Sequence, residues 1–413
     1  MDKNKAEKPR REVAKRQLSH WQLQRKRQRW VFGIGIFIIV ASLGIIGGGW
    51  CITQYQPLRE SVIKVNDTEF NMDYYVKMLQ VLQYPADEVV RVIQQNEVIR
   101  QGAERLGIIV SNEVADEELK SHGPPFNDAH RDVVRTQMLI GRLLDEYFEQ
   151  EILFFDEQRQ VMAMFVESDS QAAEIRVRLE VDGGFTELAG EFSLDGFTKG
   201  KKGDLDWRTR DVLTLLLESS ILGEYVFDSK VGVLSQPIYD EAKVKGVGYW
   251  LIEVLEREED PERAYVQAIL LGSEGEAQEI RAKLEAGEGF ATLAKGFSQL
   301  QAAGIDGGDL EWLTPGIVSA AFDEFVFDLE LGIEVLSEPI RDDMMVTTGG
   351  YWLVQVLSED DNRKIEDEDR YLLKAKALDE WGTSLFDKSD VEDYLDDDKQ
   401  LWAISRAAKE LGR

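Results

Sequence analysis

Proton transfer, thiol chemistry and tight metal binding near neutral pH draw chiefly on His and Cys, and this chain of 413 residues has four of them: His20, His122, His130 and Cys51. One cysteine permits neither an intramolecular disulfide nor a zinc site built on Cys pairs. Three dispersed histidines leave no basis for a histidine-rich catalytic metal centre. No phosphate-binding glycine loop with its Lys occurs, so no nucleotide site is expected. Carboxylates are abundant: 78 Asp and Glu against 48 Lys and Arg give a net charge of −30, which opposes nucleic-acid binding by the chain as a whole. Asp367 and Asp396 to Asp398 read as solvated charge rather than metal ligands. No metal and no cofactor is expected, and any chemistry has to come from carboxylates, hydroxyls and aromatic rings held by a fold long enough to bury more than one core.

The charge is segregated along the chain. Residues 1–29 hold eleven Lys or Arg and three acids, a net of +8; residues 30–52 hold no charge; the remainder carries −38. From Val31 to Ile52 the only clearly polar side chain is Ser42, and 22 residues rising 1.5 Å each reach roughly 33 Å, enough for a hydrocarbon core of about 30 Å. A transmembrane helix is expected over 30–53, with Trp30 and Trp50 at its ends and Arg25, Lys26, Arg27 and Arg29 before it. The positive-inside rule places 1–29 in the cytoplasm as a basic tail facing anionic lipid, and the acidic bulk outside. The run is longer than the roughly 7 to 15 apolar residues of a secretory signal. Trp50 is too bulky for Cys51 to be a lipidated N-terminus.

The acidic part contains an internal repeat. Residues 161–193 align without a gap with residues 266–298, and 15 of the 33 positions are identical. The same offset of 105 superimposes GDLDW (Gly203–Trp207) on GDLEW (Gly308–Trp312). With small gaps, SQPI (Ser235–Ile238) matches SEPI (Ser337–Ile340), and GYWLIEVL (Gly248–Leu255) matches GYWLVQVL (Gly350–Leu357). Within a copy the hydrophobic period changes. Val266–Leu271 reads as a buried strand, Glu274–Glu285 as a helix, Phe290–Phe297 as a second helix, and Tyr351–Leu357 as an alternating strand. Before the repeats, Val62–Val65 reads as a strand, and helices are expected over Met72–Leu82, Asp87–Leu106, from Asn112 after the cap Ser111, and over Asp132–Phe148. After them, Asp367–Trp381 and Lys399–Leu411 are helical.

The repeated unit resembles the parvulin (PpiC-type) prolyl isomerase domain. The second copy carries G-E-G-F-A-T-L-A-K-G-F-S (Gly287–Ser298), G-G-D-L-E-W (Gly307–Trp312), A-A-F (Ala320–Phe322), S-E-P-I and G-Y-W in the family's order. Ile99–Val114 is similar to the chaperone domain of SurA-like and PrsA-like foldases. The resemblance implies an α+β chain with a basic cytoplasmic tail (1–29), an N-terminal transmembrane helix (30–53), a helical SurA-like chaperone domain (58–150), two tandem parvulin-like modules (158–258 and 262–360), and C-terminal helices (365–413) that pack on the chaperone domain.

The departures from the family's site are specific. Its two histidine positions hold Ala163 and Ala268, and Trp250 and Trp352. Its Cys/Asp position keeps Asp195 in the first copy and is Leu300 in the second. The positions that line the family's proline pocket hold Leu213 and Leu217, and Val318 and Phe322. Tryptophan offers one N–H donor and no titration near neutrality, and alanine offers nothing, so neither replaces a histidine pair. Asp195 is the one polar site position retained, and it is expected to be a solvated loop carboxylate rather than a catalytic acid. Of Trp207, Trp250, Trp312 and Trp352, a set that could form a platform for clients, Trp250 and Trp352 are expected in the core because they lie on strands. The chain is thus expected to be a membrane-anchored extracytoplasmic folding factor that binds unfolded or exported polypeptides without isomerising them. An isomerase with an altered site, or an adaptor of one membrane complex, are the alternatives.

Overall fold

The computed structural model describes residues 42, 56–120, 126–260, 262–300 and 307–412. The transmembrane segment at 30–53 with Cys51, the tail 1–29 with His20, and His122 lie outside the described residues, Ser42 excepted. Among the described residues no helix is long and apolar enough to cross a membrane. The chain is α+β with antiparallel sheets and divides into two units, Met1–Tyr147 with Leu378–Arg413, and Phe148–Ala377.

In the first unit, Val62, Ile63 and Val65 of β1 (Ser61–Val65) turn through Asn66 and Asp67 into β2 (Thr68–Asn71). Asn66 takes φ of 53°, a conformation this residue type tolerates well. Asn71 then caps α1 (Met72–Leu82) by accepting from the Tyr74 N–H at 3.0 Å. Beyond it run α2 (Ala86–Arg105), α3 (Asn112–Lys120) and α4 (Asp128–Arg142). The chain's last elements return to this unit: β11 (Val391–Asp393) pairs with β1, Ile63 opposite Asp393, and Ala403 and Ala407 of the closing helix Asp397–Glu410 enter the same apolar cluster as Val62, Ile63, Met72, Tyr75 and Ile93. Gly102 permits the closest approach. A Cβ there would lie 2.3 Å from Leu385 and 2.8 Å from the Trp381 ring.

The second unit holds both repeats. The first copy supplies β3 (Phe155–Val166), α5 (Asp169–Asp182), α6 (Phe185–Phe192), α7 (Gly196–Gly200), β4 (Asp204–Arg208), α8 (Arg210–Leu217), α9 (Ser220–Asp228), β5 (Ile238–Lys245) and β6 (Gly248–Glu259). The second supplies β7 (Glu262–Leu271), α10 (Glu274–Glu285), α11 (Phe290–Phe297), β8 (Asp309–Leu313), α12 (Ala320–Val326), β9 (Ile340–Asp342) and β10 (Thr347–Lys364). Ser168 and Ser273, equivalent by the offset of 105, cap α5 and α10 by accepting from Gln171 N–H and Glu276 N–H, both at 3.3 Å.

The sheets do not follow the repeats. One runs β4-β3-β10-β5 and the other β8-β7-β6-β9, so each is completed by the last strand of the other copy. The cause is local. Between β6 and β7 stand two residues, Asp260 and Pro261, and the strands pair as a hairpin from Glu259 opposite Glu262 to Tyr249 opposite Leu271. A two-residue connection obliges two strands to be antiparallel neighbours. The last strand of copy one is thereby held beside the first strand of copy two. The vacant place beside β3 is filled by β10, Trp352 opposite Phe165 and Val354 opposite Ala163, whose GYWLVQVL closely repeats the GYWLIEVL of β6. The second module is thus nested between β5 and β10 of the first. Gly350 is required where β10 enters, since a Cβ there would lie 2.4 Å from Phe165 and 2.7 Å from the Val166 carbonyl oxygen.

This exchange can be read by cross-linking. In a Cys51→Ser background, Gln160→Cys with Ser358→Cys, opposite each other across β3 and β10, should form an intrachain disulfide. Gln160→Cys with Glu256→Cys, the pair an unexchanged first module would bring together, should not. A flexible insertion of about 15 residues between Asp260 and Pro261 should release β6 and allow the second pair to react. Cross-linking of the second pair in the chain without the insertion would exclude the exchange.

Candidate functional site

Because the strands are exchanged, each candidate site is composite. The first-copy position Ala163 on β3 shares a sheet and an apolar cluster with Trp352 of the second copy, together with Leu213 and Leu217. Ala268 on β7 shares its sheet with Trp250 of the first copy, together with Phe322 and the partly buried Val318 and Leu300. Reading each repeat by itself pairs Ala163 with Trp250 and Ala268 with Trp352. The fold pairs them the other way.

Both tryptophans are fully buried, as strand residues facing a core should be. Each indole N–H has an acceptor. Trp352 Nε1 donates to Asp240 Oδ2 at 3.0 Å, and Trp250 Nε1 donates to Asp342 Oδ2 at 2.9 Å. The same carboxylate oxygens accept a hydroxyl, from Ser219 at 2.6 Å and from Ser319, and those serines cap α9 and α12. One indole–carboxylate–hydroxyl chain therefore ties together two strands and a helix in each module. Burial raises the Asp342 carboxyl, but hydrogen bonds from Ser319, the Met344 N–H and Trp250 outweigh it and hold this group below the usual carboxylate range. The ring contacts complete the filling: Trp352 lies 4.8 Å from Phe165 and Trp250 lies 5.0 Å from Phe322 between ring centres. Leu213, Leu217 and Phe322 have no exposed surface in this arrangement, and Val318 is partly open. Trp207 and Trp312 are half-buried, each beneath an arginine of its own sheet, Arg363 at 4.3 Å and Arg263 at 4.5 Å.

Asp195 corrects the expectation of a solvated carboxylate. It is 7% exposed, caps α7 by accepting from the Thr198 N–H at 2.7 Å, and forms an ion pair of 2.9 Å with the equally buried Lys243. Lys243 also donates to the Leu217 carbonyl at 2.9 Å and lies over the Trp352 ring at 5.8 Å. The second module shows what this pair is for. There the two positions are Leu300 and Met345, both packed against its apolar cluster. Where one copy buries an ion pair, the other packs two partly buried apolar side chains, the exchange expected of a structural pair.

Lys243, Asp240, Asp342, Ser219 and Ser319 escape a reading that follows only the family's site positions. A signal for the carboxylates is nonetheless present, since S-x-P-I-x-D occurs in both copies at 235–240 and 337–342. Behind the site, Lys245 is 3% exposed and donates to the carbonyl oxygens of Thr348, at 3.1 Å, and Gly349. Burial lowers its pKa to about 8, against the smaller opposing pull of Glu276 and Glu167. Among the described residues no three His, Cys, Asp or Glu side chains converge to hold a metal ion.

Residues 158–256 and 249–360 each match a PPIC-type PPIase domain model. The chain therefore carries two domains of the PPIC-type, or parvulin, prolyl isomerase family. The two matches overlap within β6, the strand that belongs to the first copy by sequence and to the second by sheet. A foldase protein PrsA from Geobacillus kaustophilus (strain HTA426) is 33% identical over 114 residues, 27% of this chain and 38% of that protein. A chaperone SurA from Hahella chejuensis (strain KCTC 2396) is 27% identical over 241 residues, 55% of this chain and 51% of that protein. The chain thus spans between about two fifths and one half of the length of these curated relatives. The crystal structure of foldase protein PrsA from Streptococcus pneumoniae str. Canada MDR_19A aligns with 86% of this chain and 94% of its own at 10% identity, with a TM-score of 0.26, too low to carry an argument.

Two outcomes follow from the buried groups. Asp195→Leu alone leaves the Lys243 charge unpaired and should cost about 3–5 kcal/mol. Asp195→Leu with Lys243→Met, the second module's solution, should recover most of that loss in urea denaturation; equal loss in both would show that the pair is not the relevant unit. For Lys245, the unfolded chain holds a proton that the folded chain has released between pH 8 and about 10.5, so stability should rise with pH across that window. The rise should be of order 1–3 kcal/mol and absent in Lys245→Met.

Proposed function

We propose that this chain is a folding factor that holds non-native polypeptide and does not accelerate prolyl isomerisation. The observation that carries the reading is the replacement of both histidine positions in both modules by alanine and by a buried tryptophan bonded to Asp240 or Asp342. Isomerisation crosses a barrier of about 18–20 kcal/mol, and a catalyst must stabilise an amide twisted out of resonance beside a proline pocket. Here the polar groups are spent on one another, and the indole rings pack against Phe165 and Phe322. Holding a client requires no twisted amide. The segment after α12 exposes Leu329, Ile333 and Val335 at 68%, 52% and 47%, an apolar surface on a strongly acidic chain. The resemblance to foldases and chaperones supports the same class of client. Anchoring by residues 30–53, with 1–29 in the cytoplasm and 54–413 outside, rests on the charge change from +8 to −38 across that segment.

Purified residues 56–413 should suppress aggregation of a chemically denatured protein and leave the rate in a protease-coupled prolyl-peptide assay at background. Leu329→Ser with Ile333→Ser should weaken the suppression while changing the urea midpoint little, because both side chains are exposed. Concentration-dependent acceleration of isomerisation that survives further purification would instead establish an isomerase with an altered site. In intact spheroplasts, external protease should digest the bulk of the chain; protection would reverse the proposed orientation.

A further inference from the structure

The two sheets of the second unit are joined by two stretches of chain, β5 into β6 and β9 into β10, because β3, β4, β5 and β10 lie in one sheet and β6 to β9 in the other. These connections cross. Lys245 at the end of β5 pairs with Thr347 at the start of β10, and Val244 pairs with Thr348. SQPI with SEPI, and the two GYW strands, share an offset of 102, under which Lys245 and Thr347 are the same position of the module. A residue that pairs antiparallel with its own equivalent marks a local pseudo-twofold axis. The side chains obey the same symmetry. Thr347 Oγ1 donates to the Val247 carbonyl at 2.6 Å; Lys245 Nζ donates to the carbonyl of Gly349, the equivalent of Val247, and to that of Thr348 at 3.1 Å. Each connection thus holds the other by one buried side chain.

The crossing is held by less than the sheets it joins. β10 pairs with β3 from Tyr351 opposite Val166 to Lys364 opposite Phe155, whereas its pairing with β5 at the crossing covers Thr347 and Thr348 and then shifts register before Gly350. Val244, Met344 and Val346 beside it are exposed. A short ladder with solvent on one side opens at a lower free energy than a long buried one. Its two arms also differ in kind, a neutral hydroxyl and an amine. Burial lowers Lys245 to about 8, while Glu276 of α10 and Glu167 after β3 pull it the other way. Glu167 is itself bonded by Arg341 of β9 and by the Tyr249 hydroxyl of β6, both at 3.1 Å, Glu276 accepts from the Gly272 N–H at 3.0 Å, and the Tyr239 hydroxyl of β5 stands beside Gly349. Below pH 8 the closed crossing holds an ammonium that water solvates better. Above pH 8 it holds the neutral amine, and closure is favoured.

We propose that the crossing is a latch between the two sheets that opens without unfolding either of them, with Thr347 as its fixed arm and Lys245 as the arm whose charge sets how often it opens. The latch is a property of the fold, whether or not the chain holds clients. Hydrogen exchange of the full chain tests it, read as protection factors for 244–248 and 345–350. At pH 7 these amides should exchange through an opening nearly independent of urea, while those of Val161–Val166 and Val266–Leu271 follow global unfolding. Protection at the crossing should rise roughly tenfold from pH 7 to pH 9, because the open state returns Lys245 to its ordinary proton affinity. Lys245→Met should remove that dependence on pH. Thr347→Val should lower protection at every pH and leave the dependence in place. In the Cys51→Ser background, a disulfide joining Val244→Cys to Thr348→Cys, at two exposed and directly opposed positions, should abolish the urea-independent opening. Exchange at the crossing with the same urea dependence as the sheet strands, protection that is flat from pH 7 to pH 9 in the unmodified chain, or a pH dependence that survives Lys245→Met would overturn the proposal.

Discussion

Two residues, Asp260 and Pro261, impose the architecture of the repeat unit, because they leave β6 no option but to lie beside β7. A strand in an antiparallel sheet is defined by its neighbours, and neighbours joined by so short a connection cannot be separated without losing the hairpin. Once β6 is committed to the second sheet, the first lacks a central strand, which in water would leave unpaired N–H and C=O groups on β3 and β5 and an open apolar core. β10 satisfies both needs. The exchange costs little because β6 and β10 present nearly the same side chains to nearly the same partners, Trp250 opposite Ile340 and Trp352 opposite Ile238. Short hinge segments favour such exchange in general; here it happens within one chain.

The exchange also decides the composition of each candidate site. A central strand carries side chains to the middle of its sheet, so moving it moves Trp250 and Trp352 between modules. What those tryptophans meet is then the same on both sides: a carboxylate from the neighbouring edge strand and the serine that caps a helix. A buried carboxylate with two donors at Asp240 or three at Asp342 is well accommodated, and a buried indole needs only one acceptor. The residual asymmetry lies one layer away, where Asp195 and Lys243 in one module answer to Leu300 and Met345 in the other. Both arrangements fill the same space without an unpaired charge.

Repetition also makes the structure its own control. Where the two modules agree, the shared contact is a requirement of the fold, as with the capping serines 168 and 273. Where they differ, the difference isolates something additional. Arg341 and Tyr239 occupy one pseudo-equivalent position, the first bonded to the Tyr249 hydroxyl and the second packed against the Tyr351 ring.

Much of this was written in the sequence in forms that depend on short range. Helix starts at Asn71, Ser168 and Ser273 follow from residues that accept from their own backbone three positions on. The α+β pattern follows from the change of hydrophobic period inside each copy, and the loss of histidine from both modules is plain from residue type alone. The internal repeat and its parvulin motifs could be found because motif order is a property of the chain. Tertiary structure alone decided which module each closing strand joins, since two nearly identical strands carry no label for their partner and a comparison copy by copy assigns each to its own. It also decided that Asp195 is buried: its partner Lys243 lies 48 residues away on β5, and nothing in the local sequence distinguishes a carboxylate that will meet an ammonium from one that will meet water. Likewise Phe322 meets Trp250, 72 residues earlier, ring edge against ring face, a contact that no local pattern in the chain announces.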